Sequence, residues 1–298
     1  MMHTQRTLRA APIFSVVFVL LVAGCSSKER SKEDGHITKV AKASFDDLPA
    51  QVARTESEDF VNWTKVKVVL EGPDPLKQTH DMVVFPTGGV YIGLLGVMEF
   101  IDWSNYNVKQ HVELAWSPDT VKWYRIEEGK PFIANSSAEK AHFGYTPYDW
   151  GTIFASNPVF LEDEIRLYYG ACDWYFFDWR KGYLAMATLR PDGWAGYKPI
   201  SADAKAVVTT KSITGNLASL SITADVQNGG SVIVAVFDEY GKELVRSEPV
   251  RNTVTSGRIK WQADVKDLTS MSNGKARLKF VLRNAKLYAF QVTQEALK

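Results

Sequence analysis

Two heptapeptides that begin sixty residues apart share the pattern S-x-D-x-V-x-W. They read SEDFVNW from Ser57 and SPDTVKW from Ser117. Ser and Asp in these positions cap a tight turn, and the Trp covers the strand that leaves the turn. A shortened third copy, RPDGW, begins at Arg190. A loop and a similar pair of strand-like runs follow each of the first two copies. The pattern therefore predicts a repeated four-stranded unit; chance similarity between two hairpins is the alternative.

Strand-like runs follow one another closely from Ser57 to about Asp203. Each run is rich in β-branched or aromatic residues and is bounded by Gly, Pro, Asn or Asp, while helical periodicity is hard to find. Four-stranded units repeating at sixty to seventy residues are typical of β-propeller blades. From residue 204 onward the aromatic density falls and apolar residues alternate with period two. The chain is therefore predicted to be all-β, with a partial β-propeller over 57–203 and an antiparallel β-sandwich over 204–298.

The N-terminus resembles a bacterial lipoprotein signal. Arg6 and Arg9 precede an apolar run that is too short for a permanent membrane span, and the run ends in LVAGC. In such signals the cysteine, here Cys25, is acylated (as with palmitate) and becomes the mature N-terminus. This predicts a signal peptide over 1–24, a polar tether over 25–56 and a lipid anchor in the bacterial cell envelope. Ser26 fits the outer-membrane or cell-surface pattern. An ordinary signal peptide with a chance Cys is the alternative.

Charge and metal-ligand spacing exclude several classes of function. The chain has 35 basic and 34 acidic residues, so no net field attracts nucleic acid. Its five His residues and two Cys residues show no zinc spacing, and no loop has calcium-ligand spacing. We therefore predict no metal and no cofactor. Cys172, in an apolar strand pattern, is predicted to be a buried small hydrophobe.

The stretch from His142 to Gly182 concentrates aromatic residues and carboxylates. It holds thirteen of the chain's thirty-six Phe, Trp and Tyr residues, together with four Asp residues. Aromatic faces beside carboxylates suit the binding of sugar rings and the cleavage of glycosidic bonds. The core and turns of an aromatic-rich β-protein have the same composition, so both interpretations stay open at this point.

The S-x-D-x-x-x-W hairpins, followed by a sandwich, resemble the five-bladed β-propeller glycosidases of the invertase/fructanase and arabinanase/xylosidase type, glycoside hydrolase families 32 and 43. The runs LAMATLRPDGW from Leu184 and AKLYAF from Ala285 are similar to the last blade and final sandwich strand of bacterial relatives. Five such blades need about three hundred residues, and about half that number precede the predicted sandwich. The resemblance thus implies an N-terminally truncated propeller, or one completed by a partner chain or an oligomer.

The resemblance also implies where catalytic residues would lie. Family carboxylates come from innermost strands near a central channel. The corresponding residues here are Asp81, at the head of the first strand pair, and Asp149, at the head of the second, with His80 placed to orient one of them. Glycoside hydrolysis needs two carboxyl groups, about 5–5.5 Å apart for retention or about 6.5–9.5 Å for inversion. Each Asp capping a turn is the alternative. The invertase-like relatives carry a Glu as the general acid at the position where this chain reads QTHD, from Gln78 to Asp81. The side chain of Asp is one methylene shorter than that of Glu.

An aromatic loop follows the second strand pair. Trp174 and Trp179, with Tyr148 and Trp150, are candidates for a platform on which a sugar stacks, and Arg180 for bidentate hydrogen bonds to the sugar. A turn whose aromatic rings pack on the neighbouring structure is the alternative. Two functions stay open. One is a lipoprotein glycoside hydrolase, or its remnant, acting on or binding polysaccharide. The other is a non-catalytic lipoprotein that binds glycan or protein.

Overall fold

The computed structural model describes residues 51–72, 74, 76–102, 104–105, 107–138, 146–177, 181–214, 219–263 and 275–293. The predicted signal peptide, Cys25, Trp179 and Arg180 lie outside these ranges. Across the described ranges the chain is all-β, which confirms the predicted class, and no helix there is long and apolar enough to cross a membrane. The strands are β1 Gln51–Arg54, β2 Lys67–Glu71, β3 Lys77–Thr87, β4 Val90–Asp102, β5 Asn107–Ser117, β6 Tyr124–Ile126, β7 Thr152–Ala155, β8 Val159–Phe160, β9 Ile165–Cys172, β10 Gly182–Leu189, β11 Lys205–Thr209, β12 Ile213–Thr214, β13 Ser219–Phe237, β14 Glu243–Arg246, β15 Val254–Arg258 and β16 Lys275–Thr293.

The chain divides into two compact units. The first comprises residues up to Val159 together with Arg166–Ala187, and the second comprises Phe160–Ile165 together with residues from Thr188 onward. The second unit begins ahead of the boundary predicted near Asp203. Strand β1, which pairs with β2, lies within the stretch predicted as a tether.

The first unit is built from antiparallel meanders. Strands β3, β4 and β5 pair in sequence, and β6 adds to β5, so these four strands form one antiparallel unit of the kind that the heptapeptide repeat predicts. Strand β7 pairs antiparallel with β9, which also neighbours β8 and β10. One parallel bridge, Gln110 to Thr152, joins β5 to β7. This bridge brings the start of the second meander to the middle of the first.

Both heptapeptides form the same turn. The Asp59 Oδ1 atom accepts from the backbone N–H groups of Val61 and Asn62 at 2.8 and 2.7 Å. The Asp119 Oδ1 atom accepts from the N–H groups two and three residues on, at 2.9 and 2.8 Å. Phe60 and Thr120 both adopt positive φ, 61° and 64°. The local sequence therefore determines this turn, because its hydrogen bonds span at most three residues.

The third, shortened copy differs from the first two. Here the Asp itself, Asp192, has positive φ, and its Oδ2 atom accepts from the Thr223 hydroxyl of β13 at 2.7 Å. Arg190 donates to Asp225, to the Val254 carbonyl and to Thr255. The RPDGW segment is thus fastened to the strands of the second unit, where its two charged residues pair with distant partners.

The second unit is organised around two long strands, β13 and β16, which pair from end to end except at an irregularity between Val226 and Ser231. Every second residue of β16 is buried, and this alternation shifts by one position at Asn284. The buried residues are Leu278, Phe280 and Leu282 before it and Ala285 and Leu287 after it. Asn284 has φ 41° and lies opposite four residues of β13, 227–230, where the register shifts, and both halves of β16 contribute side chains to one core. The two long strands thus run through this irregularity without a turn, and the strands of the second unit form one six-stranded sheet across the described residues.

Candidate functional site

His80 and Asp81 lie side by side inside β3, at a β-bulge. The register of β3 against β4 shifts between Thr79 and Met82, so Asp81 is in the middle of a strand and not at its head as predicted. The His80 Nδ1 and Asp81 Oδ1 atoms are 3.3 Å apart. Bulges re-aim side chains and are frequent near functional sites. The side chain of Asp81 remains 24% exposed.

Gln110 connects Asp81 to the second meander. Its Nε2 atom donates to Asp81 Oδ1 at 2.8 Å and to the carbonyl of Ile153 at 3.0 Å. Its backbone N–H donates to the carbonyl of Gly151 at 3.1 Å. The residue is fully buried, and its Oε1 atom has no partner in the described part of the chain. Sequence reasoning missed Gln110; it stands between two other polar residues, Lys109 and His111, so the sequence carries no signal that singles it out.

Asn135 completes the connection on the other side. Its Nδ2 atom lies 3.0 Å from the carbonyl of Gln110, 3.1 Å from that of Asp149 and 3.2 Å from that of Gly151. Gln110 and Asn135 together fix the turn that carries Asp149 against β5. The structure therefore brings the segments of both predicted carboxylates to one junction between β3, β5 and β7.

Asp149 is buried, with 6% of its surface exposed. Its Oδ1 atom has no hydrogen-bond partner among the described residues. Such an atom is rare in folded proteins, because a buried acceptor left unpaired costs about 1–3 kcal/mol. Burial, the Tyr148 hydroxyl at 3.3 Å and the nearby Asp149 carboxylate together raise the pKa of Tyr169 well above its ordinary range. The Asp149 carboxylate thus acts electrostatically on the Tyr169 hydroxyl.

The indole rings of Trp150 and Trp174 already stack on each other. Their centroids are 5.3 Å apart with planes inclined by 25°, and Tyr175 contacts both rings edge-on. Trp150 is only 5% exposed, so its ring is not open to a sugar. Tyr148, 43% exposed, presents the accessible aromatic surface. The role of these residues in binding stays a prediction, and Trp179 and Arg180 lie outside the described residues.

A buried ion pair on β5 was also missed by sequence reasoning. Glu113 is 1% exposed; its Oε2 atom accepts from Arg125 Nε at 3.0 Å and from Nη2 at 2.5 Å. His111 Nε2 lies 3.2 Å from Glu113 Oε1, which also accepts from the Gly129 N–H. Burial raises the pKa of Glu113, but these donors outweigh it and hold the pKa below its usual range. Because its partners satisfy it, this carboxylate serves the fold.

Metal and thiol chemistry have little support in the described ranges. No group of three or more His, Cys, Asp or Glu side chains there could hold a metal ion. Cys172 is buried, and burial raises the pKa of its thiol, an effect that the Thr152 hydroxyl partly offsets. The thiolate, which is the reactive form, is therefore disfavoured.

No protein-family model matches the chain, and no curated protein sequence matches it significantly. Among solved structures, a glycoside hydrolase is 20% identical with a TM-score of 0.35, over 49% of this chain and 38% of its own. The Bombyx mori GH32 β-fructofuranosidase BmSUC1 is 10% identical with a TM-score of 0.31, over 83% of this chain and 86% of its own. A family 43 arabinoxylan arabinofuranohydrolase from Bacillus subtilis is 13% identical with a TM-score of 0.29, over 83% of this chain and 59% of its own.

This chain spans less than two thirds of the length of the first and third of these structures. TM-scores below 0.5 do not establish a common fold. What the protein does has to follow from its own residues, and these bring two aspartates and an aromatic cluster to one junction.

Proposed function

We propose that the protein is a glycoside-hydrolase-like lipoprotein that acts on a polysaccharide, with Asp81 and Asp149 as its two carboxylates. The observation that supports this most is the junction at Gln110. Its side chain holds the Asp81 carboxylate, and its backbone binds Gly151, two residues after Asp149. Glycosidic cleavage needs one carboxyl group to protonate the leaving oxygen and another to attack or to activate water. The sequence resemblance to propeller glycosidases favours the same two residues.

A non-catalytic, glycan-binding protein is the second candidate. Two observations favour it: Asp149 is almost fully buried, and Trp150 is covered by its neighbours. A protein that had lost catalysis would still present Tyr148, and an exposed aromatic ring can stack on a sugar face. Binding without cleavage is then the expected behaviour.

A panel of polysaccharides distinguishes the two candidates. Cleavage is measured as released reducing ends, and binding as the amount of protein that each polymer holds. For an enzyme, we expect Asp81→Asn and Asp149→Asn each to lower turnover by about 100-fold or more, since a positioned acid or base contributes about that much. Asp163→Asn, at the exposed turn between β8 and β9, is the matched control and should leave turnover unchanged.

The outcomes differ sharply. Hydrolysis that survives Asp149→Asn removes this residue from the mechanism. Retention of a polysaccharide without cleavage by the unaltered protein supports the binding candidate. A protein that neither cleaves nor retains any polymer of the panel contradicts both candidates.

We also propose that Cys25 carries the lipid anchor and places the protein in the cell envelope, on the LVAGC motif alone. A single acyl chain binds a membrane only marginally, whereas two or more anchor it stably. Cys25→Ala should therefore move the protein from the membrane fraction to the soluble fraction and abolish incorporation of labelled palmitate. Incorporation that persists in this variant would show that the anchor is elsewhere.

A further inference from the structure

We propose that a lysine row on the first unit binds the acid group of an anionic sugar unit, so that the polysaccharide ligand is acidic. The row consists of Lys77 on β3, Glu99 on β4 and Lys109 on β5. This inference rests on the proposed function, because it names the class of polysaccharide that the same unit would recognise.

The position of Lys109 is the main observation. Its Nζ atom lies 3.6 Å from the centroid of the Trp150 ring, a cation–π contact. No described residue places an oxygen within hydrogen-bonding distance of this ammonium. Trp150 is in turn held by Trp174 and Tyr175, so the charge is kept in one place by a packed aromatic cluster.

The residues across the sheet leave the row with an excess of positive charge. Glu99 is the cross-strand partner of both Lys77 and Lys109, and cross-strand partners share a face of the sheet. The Glu99 carboxylate lies 3.6 Å from Lys77 Nζ and forms no ion pair with Lys109. Two ammonium groups thus accompany one carboxylate, and the second ammonium is left for a ligand.

The surroundings of Lys109 should strengthen the binding of an anion to its ammonium group. Burial lowers the pKa of Lys109, and the attraction of Glu99 only partly offsets this. A half-buried ammonium that has lost hydration is stabilised by an incoming anion more than a fully hydrated one. Because Trp150 already fixes the side chain, little conformational entropy is lost on binding.

A sugar ring also needs an aromatic surface, and the turn that carries Trp150 exposes one. Tyr148, two residues before Trp150, is 43% exposed, and its ring meets that of Tyr183, 39% exposed, at 5.9 Å. Lysine is a point charge without bidentate geometry, so it does not by itself distinguish a carboxylate from a sulfate. The ligand chemistry is therefore an acidic sugar, either a uronate or a sulfated unit.

The test compares each acidic polymer with a neutral counterpart, using the full chain at low salt. The probes are polygalacturonate and its methyl ester, and dextran sulfate and dextran. We expect one acidic polymer to bind at least tenfold more tightly than its counterpart, and about 1 M salt to remove the difference. Lys109→Met, which keeps the apolar stem, should weaken that binding about tenfold. Lys109→Arg should restore it to within about threefold.

Lys67→Met removes the same charge from the exposed strand β2 and is the control; binding should not change. The polymer that depends on Lys109 identifies the acid group. Equal binding of acidic and neutral polymers, or acidic binding indifferent to Lys109→Met, overturns the inference but leaves the proposed function standing. Failure to bind or cleave any polysaccharide overturns the proposed function itself.

Discussion

Replacing Glu113 by Gln is expected to lower the free energy of unfolding of the first unit by about 3–5 kcal/mol. The reason is the guanidinium of Arg125, whose side chain is 6% exposed and pairs with Glu113. Without Glu113, the buried guanidinium keeps only the exposed Glu128 carboxylate as an ion-pair partner among the described residues, in a medium that solvates the charge poorly. Denaturant unfolding, followed by hydrogen exchange of the amides of β4 and β5, measures the change.

Glu128 provides the matched control. It bonds the same arginine through Nη1 at 2.8 Å, but its side chain is 54% exposed. Surface ion pairs contribute about 0–1 kcal/mol, so Glu128→Gln should change little. If the two variants lose the same stability, burial is not what makes the Glu113 pair important.

The effect of Glu113 should also depend on pH. Its pKa in the folded state lies below the ordinary value of 4.5. A group with a lowered folded pKa stabilises the protein above its unfolded pKa, and this contribution is lost as the pH falls through the folded pKa. The stability gap between the unaltered protein and Glu113→Gln should therefore be full at neutral pH and narrow below about pH 4.5. A gap that widens on acidification would contradict this sign.

Phe280→Ala is expected to cost the second unit about 3–5 kcal/mol. Phe280 on β16 is fully buried in the cluster to which both halves of β13 contribute, so truncation leaves a cavity that the sheet cannot easily collapse. The chain has two compact units, and a single unfolding midpoint would mix them. Hydrogen exchange of the amides of β13 and β16 reports on this unit alone.

Phe290 on the same strand is the control for Phe280. Its ring lies 5.2 Å from that of Phe280, yet it is 41% exposed. Phe290→Ala should cost less than Phe280→Ala, because the Phe290 side chain is already partly exposed to solvent and its truncation removes less buried apolar surface. If the two variants lose similar free energy of unfolding, the core does not lie on the side of β16 that the alternation of buried residues indicates.

Much of the fold could be read from the sequence, because its determinants are local. The β-branched and aromatic runs predict the all-β class. The strands β2, β4 and β9 begin within one residue of three such runs, which start at Val66, Val90 and Ile165. The capped turns at Ser57 and Ser117 follow from hydrogen bonds that reach two or three residues. The four-stranded unit formed by β3 to β6 follows from the repeat of that turn.

The candidate site could be read only in part. The sequence points to His80, Asp81 and Asp149 as residues of interest, but it places Asp81 at the head of a strand and treats Trp150 as an open surface. The structure puts Asp81 at a bulge within β3 and stacks Trp150 against Trp174. Bulges and ring stacking depend on neighbouring strands, and a period-two pattern does not record them.

By itself, the sequence determined the strand-rich character of this protein and its capped turns. Only the tertiary structure decided which side chains meet. Gln110 reaches Asp81 across 29 positions and the Ile153 carbonyl across 43. Contacts at such separations are fixed by strand register and burial, so a local pattern cannot encode them one by one. The same holds for the ammonium of Lys109, which meets Trp150 because β5 and the turn before β7 are brought together.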